Sequence, residues 1–289
     1  MSFLIIFVSD ILPYSPLPAL HFTALLLHLI ITLSPCYQRL IRTTNAVGYS
    51  TININKEYTL LAVNFDDVTG EALDIQKAFP YTTGMTKGLT VDNGDNIQIM
   101  TTDGGYETYF LSNGHYGKGG ASYDESLDGK WSAPGSNAVA SRGLASGTTF
   151  WYLARGGKTS PFTMTVAGAV SNSESETYTI NKAYTLIGSP YPCEVAINGG
   201  IEVTGGTKGL TVDNGDNIQI MNDEGGYDTY FLSNGHYGKG GASYDEGLDG
   251  KWSTPGSNAA TTDKFPSGKG AFYLSRSKEG TVKFINPTK

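Results

Sequence analysis

The sequence predicts an all-β protein: two tandem homologous modules, each a β-sandwich or small β-barrel, behind an apolar N-terminal leader. Three observations lead there. First, the composition favours turns and pleated surfaces, with 37 glycines and 18 tyrosines among 289 residues; glycine supplies positive φ, and tyrosine packs on half-buried sheets. Second, Thr86 to Ala138 aligns without gaps to Thr207 to Ala259, with 47 of 53 positions identical. Third, the apolar runs are short, alternate with polar residues and end in Asn-Gly, Asp-Gly or Gly-Gly, the pattern of half-buried strands joined by tight turns.

Charged residues make up 16% of the chain and the formal charge is −7, against about a quarter charged in ordinary soluble domains. No run of Lys or Arg accompanies the aromatics, so nucleic acid is excluded as a partner: phosphate binding needs a basic footprint to displace counterions. The weakly charged, tyrosine-rich composition suits an exported protein, secreted or held at the cell surface. The two cysteines are Cys36 and Cys193. Aligning Leu73-Asp74-Ile75 with Cys193-Glu194-Val195 puts Cys193 in a leucine's slot, a small buried hydrophobe rather than a reactive thiol.

Residues 1–46 form the leader. Its apolar stretches run from Phe3 to Leu12 and from Ala19 to Leu33; the second matches a signal-peptide core and falls short of the roughly 20 residues of a membrane span. Arg39 and Arg42 follow the apolar run, so a retained anchor would hold the modules in the cytoplasm, against the exported composition. The alternatives are an atypical export signal cut near Thr44-Asn45-Ala46 and translated upstream sequence. Membrane contact is expected only through a retained leader.

The first module is expected at 47–168, a polar linker at 169–176 and the second module at 177–289. Thr51 to Lys56 matches Thr177 to Lys182, which leaves five extra residues in the first copy between Asn64 and Met85. Each unit is large enough to close its own core, so the pair reads as beads on a string and not as a solenoid.

Taken in order, Tyr58 to Val63 is a β-rich run echoed by Tyr184 to Ile187, and Leu73 to Phe79 can form one helical turn. Asp92-Asn93-Gly94-Asp95 turns into a strand over Asn96 to Met100, with Ile97 and Ile99 on one face; Thr102 to Gly105 turns again and Tyr106 to Leu111 returns. Four of the six differences between the copies fall in this hairpin. One of them, Glu107/Asp228, keeps a carboxylate expected to face water. Alternation then sends Tyr106, Thr108 and Phe110 inward and leaves Tyr109, and its mate Tyr230, exposed. Further strands are expected at Lys130 to Ser132, Thr149 to Ala154, Phe162 to Val166 and Thr281 to Ile285. About eight strands per module leave sandwich and barrel both open.

Thr185-Leu186-Ile187-Gly188-Ser189-Pro190-Tyr191-Pro192, Gly215-Asp216-Asn217-Ile218-Gln219-Ile220, Gly226-Tyr227-Asp228-Thr229-Tyr230 and Gly268-Lys269-Gly270-Ala271-Phe272-Tyr273 together resemble an uncharacterised tandem β-module of exported bacterial proteins. The likeness spans most of each repeat and rests on turn and core residues. The first copy departs from it, with Asn64-Phe65-Asp66 for Gly-Ser-Pro and Thr148-Thr149 for Lys-Gly. The resemblance implies export and brings no catalytic residue.

His115 and His236 are the single histidines of the two modules. No Gly-x-Ser-x-Gly elbow or zinc ligand set accompanies them. Asp92 to Asn96 lacks the spacing of known calcium loops and reads as a turn. No enzyme, metal or cofactor is expected. Ser112 to Glu125 recurs unchanged as Ser233 to Glu246 and reads as a long, patternless hairpin connection, the kind of loop that carries function.

The candidate ligand-binding residues are Tyr109, His115, Tyr116, Lys118, Tyr123 and Asp124, with Tyr230, His236, Tyr237, Lys239, Tyr244 and Asp245. The expected function is an exported, non-catalytic structural or adhesive role toward another surface protein. The first alternative is a carbohydrate-binding module pair, with tyrosine rings covering the apolar face of a pyranose; the second is a glycoside hydrolase using Asp124, Glu125 or Asp128. A purely structural alternative folds the tyrosines back onto Trp131.

Overall fold

The computed structural model describes residues 46–54, 57–101, 103–156 and 161–289. The leader, apart from Ala46, and the turn residue Thr102 lie outside them. The described chain is all-β, and among its residues no helix is long and apolar enough to cross a membrane.

In the first half, β1 (Val47–Ile54) pairs antiparallel with β9 (Phe162–Ala169). A five-stranded antiparallel sheet runs in the order β2 (Tyr58–Ala62), β8 (Thr149–Leu153), β4 (Asn96–Met100), β5 (Tyr106–Tyr116), β6 (Ser122–Ser132). The ribbon β3 (Leu73–Asp74) with β7 (Gly143–Leu144) leads into the one-turn helix α1 (Ile75–Ala78), capped by Asp74.

The second half repeats the five-stranded order as β11 (Tyr184–Gly188), β18 (Gly270–Leu274), β14 (Asn217–Met221), β15 (Tyr227–Tyr237), β16 (Ser243–Ser253). It also has the ribbon β12 (Val195–Ala196) with β17 (Lys264–Phe265). Here β10 (Ser175–Ile180), β19 (Gly280–Ile285) and β13 (Ile201–Thr204) form a three-stranded sheet. No described sheet closes into a barrel, which removes that alternative.

Alternation explains which faces pack. In β1 and β9, Ile52, Ile54, Phe162, Met164 and Val166 are buried, while Thr51, Asn53, Thr163 and Thr165 are exposed. Their apolar face meets the sheet that carries Ile97 and Ile99, and the Phe162 and Tyr152 rings lie 6.2 Å apart. Buried apolar side chains form two clusters, one drawn from residues 52–166 and one from 180–284.

Trp131 is fully buried, edge-on to Tyr152, and its Nε1–H donates to Phe79 O at 2.6 Å. The Gln76 amide holds the Trp131 backbone from both sides, donating to Trp131 O and accepting from Trp131 N; Asn198 does the same for Trp252. These bonds, with Leu73 opposite Leu144 and Val195 opposite Phe265, make Val195 the equivalent of Leu73. Cys193 therefore does not occupy a leucine's slot. It lies half-buried beside the second core, and burial pushes its thiol pKa upward.

The Asp92–Asp95 turn is fixed by its last residue. Asp95 is fully buried and accepts from Thr86 N at 3.0 Å, Arg155 N at 2.8 Å and Tyr152 Oη at 2.8 Å. Asp216 repeats the bonds to Arg276 N and Tyr273 Oη.

Candidate functional site

The segment expected to be a patternless loop is the distal part of a long hairpin. β5 and β6 each run for 11 residues, and only 117–121 lie between them, with a tight turn at Lys118–Gly120. Two breaks in register, between Leu111 and Asn113 and between Asn113 and His115, twist the hairpin where it leaves the sheet. Those breaks and the glycines hide strand pairing from a simple period-two pattern.

Beyond them His115 stands opposite Tyr123 and Tyr116 opposite Ser122. The His115 and Tyr123 rings are 5.0 Å apart and tilted at 54°. Tyr123 crosses over Gly114, where φ is +80° and a Cβ would come 2.5 Å from the ring. Glycine is required there twice over, by backbone and by space. His115 Nδ1 lies 3.0 Å from Gly120 O; a carbonyl only accepts, so Nδ1 donates in this contact. The second copy reproduces the arrangement, with His236 and Tyr244 rings 5.1 Å apart and Gly235 at φ +81°. Tyr123 and Tyr244 are each 54% exposed.

Lys118 and Lys239 are exposed at the two tips, and Tyr116 and Tyr237 are half-buried. Asp124 turns back on its own strand: it accepts from Ser126 N at 2.8 Å and Ser126 Oγ at 2.7 Å, which lowers its pKa. Asp245 takes Gly247 N at 2.8 Å in the same way. Both are turn-stabilising carboxylates. Trp131 belongs to the core, so the tyrosines do not fold back onto it.

Tyr109 and Tyr230 do not belong to an exposed site. Both are 6% exposed and part of the cores, whereas Tyr106 is 47% exposed. The expected faces were inverted because Glu107 points to the core side. Its carboxylate takes the Tyr109 hydroxyl on one oxygen and Arg142 Nε, at 3.0 Å, on the other. A charge so partnered can occupy a half-buried position. Phe110 is buried, on the opposite face.

Two residues missed from the sequence, Tyr81 and Lys87, adjoin the hairpin. Lys87 Nζ makes a forked ion pair with Asp128, at 2.8 and 2.9 Å, and lies 5.0 Å from the Tyr81 ring centroid. Tyr81 packs against Gly129 and is 47% exposed. In the first half, Tyr81 thus accompanies a lysine–aspartate pair beside the hairpin that carries Tyr123. The second half keeps the pair, with Lys208 Nζ 2.8 Å from Asp249. The position of Tyr81, in the stretch where the copies differ in length, was the one sequence signal available.

A cleft of about 450 Å³ opens elsewhere, between the halves, lined by residues that include Met100, Arg142, Glu176, Lys182 and Leu186. Among the described residues no three His, Cys, Asp or Glu side chains come together as metal ligands would. No protein-family model, curated protein or solved structure matches this chain.

Proposed function

We propose that the chain is an exported, non-catalytic surface protein whose two β-sandwich modules make paired adhesive contacts through the outer hairpins. The observation that carries this reading is the duplicated face: a half-exposed tyrosine tilted on a histidine, braced by a glycine at positive φ, built identically on equivalent strands. Rigid aromatic anchors with adaptable polar neighbours suit contact surfaces. The partnering of Asp124 with Ser126 and of Asp128 with Lys87 supports a non-catalytic role, since each carboxylate is engaged away from a shared substrate position.

A glycan ligand is the second reading. It is favoured by Tyr81 accompanying the Lys87–Asp128 pair beside the hairpin that carries Tyr123, which supplies ring faces for a sugar's C–H surface beside donors and acceptors for its hydroxyls.

A glycan array and a panel of surface proteins, probed with the full chain and with Tyr123→Ala plus Tyr244→Ala, test both. Loss of binding to either panel in the double variant is expected; a binding profile unchanged by it would sink the hairpin assignment. Silence across the glycans alone would remove the second reading. Hydrolysis of glycosides that disappears with Asp128→Asn would overturn the non-catalytic one.

A further inference from the structure

The halves meet across a pseudo-twofold axis. Ala62 closes β2 opposite Thr149 of β8, and Gly188 closes β11 opposite Gly270 of β18; Trp151 and Phe272 stand two residues further along those partner strands. Ala62 and Gly188 are therefore equivalents, as are Thr149 and Gly270, and Trp151 and Phe272. Each member touches its own equivalent. The Trp151 and Phe272 rings are 5.9 Å apart. A Cβ on Gly188 would overlap the Ala62 methyl and lie 2.8 Å from Thr149 Oγ1; one on Gly270 would overlap Thr149 Cγ2 and lie 3.0 Å from Leu60 Cγ. Contacts between equivalent residues on the axis, with reciprocal contacts off it, are what a twofold relation produces.

Off the axis the contacts are reciprocal. The turn at Gly268 accepts from Ala62 N at 3.0 Å and packs near Ile52, while the matching turn at Gly147 presents its carbonyl 3.0 Å from the hydroxyl of Tyr178, the residue in Ile52's place.

We propose that this junction is a self-recognising module face retuned by size so that the first module takes the second and not another first. Ala62 faces glycine, Thr149 faces glycine and Trp151 faces the smaller phenylalanine. Two first-module faces would set methyl on methyl and threonine on threonine where no Cβ fits. Two second-module faces would set glycine against glycine and leave a void. The occupant is thus the second half of the same chain. The burial of Leu60 and Ala62, on the side of β2 away from the first core, agrees with a face that stays covered. The hairpins would then be held in one fixed relation and not strung on a flexible tether, which goes beyond the functional reading above.

The test uses the full chain with a specific protease site inserted at Asn172, cut after folding. The cut halves should co-elute in size exclusion at micromolar concentration. Gly270→Thr should separate them, lowering their affinity at least tenfold while far-UV circular dichroism stays unchanged. Exchange across the axis, Thr149→Gly with Gly270→Thr, should restore co-elution. Separation of the cut parent, indifference to Gly270→Thr, or failure of the exchange would each overturn the proposal, and none bears on what the hairpins bind.

Discussion

Tyr109 shows how much one side chain's surroundings decide. Burial, then the bond to Glu107, pushes its hydroxyl pKa up to about 12, and burial does the same for Tyr191. The proton is held more tightly in the folded than in the unfolded chain, where tyrosine loses it near pH 10. The stabilisation is therefore complete below pH 10 and is lost as pH rises toward 12. Absorbance at 295 nm should show Tyr109 and Tyr191 ionising only near pH 12, together with loss of sheet signal. A single class at pH 10 with the fold intact would contradict the burial of Tyr109. This residue was also where sequence reasoning reversed itself. Alternation was correct, but the phase was set by assuming that Glu107 sought water, and its partner Arg142 lies 35 positions away. Cys193 was misplaced for a related reason, since the offset shows only in long-range contacts, the pairing of Val195 with Phe265 and the bonds of Asn198 to Trp252.

Among elements, the strands with clear alternation were legible: β4 and β8 lie where the pattern placed them, and α1 falls within the expected helical turn. The outer parts of β5 and β6 were not, because register breaks and glycines erase the pattern while the ladder continues. The hub that joins β4 to β8 was half-legible. Asp95 reads as a turn residue, yet its three bonds reach Thr86, Tyr152 and Arg155. Burial pushes its carboxyl pKa upward against those bonds. Each buried donor left unpaired costs about 1–3 kcal/mol. Asp95→Ala should therefore destabilise the first half by about 3 kcal/mol or more in a denaturant titration, whereas exposed Asp92→Ala should change it by less than about 0.5 kcal/mol. Equal effects would show that the turn, and not the hub, sets stability.

For the whole molecule, the proposed function makes the two equivalent hairpins paired contact faces, and binding to a crowded surface would then depend on both. When two sites can engage together, avidity can exceed single-site affinity by about 10²–10⁴. On a densely coated surface, Tyr244→Ala alone should therefore lower retention far more than on a soluble monovalent ligand, where the loss is at most about twofold in capacity. Surface plasmon resonance at high and low ligand density distinguishes the two cases, and equal losses at both densities would argue against joint engagement. The duplication behind this is plain in the sequence. The junction is not, because its contacts pair positions whose meaning appears only once the halves are superposed.

The five-stranded sheets end in β6 and β16 on the outside and in β2 and β11 at the junction. An open edge with free amides invites further strands and eventually fibres. At the inner edge the Gly268 carbonyl caps the Ala62 amide, and each outer edge carries a row of acids: Asp124, Glu125 and Asp128 on one, Asp245, Glu246 and Asp249 on the other. Like charges facing each other repel an incoming strand. Asp128 and Asp249 are held by Lys87 and Lys208, so Asp124 and Glu125 on one edge, and Asp245 and Glu246 on the other, are left to set like charge against the edge of a second copy, which disfavours strand addition.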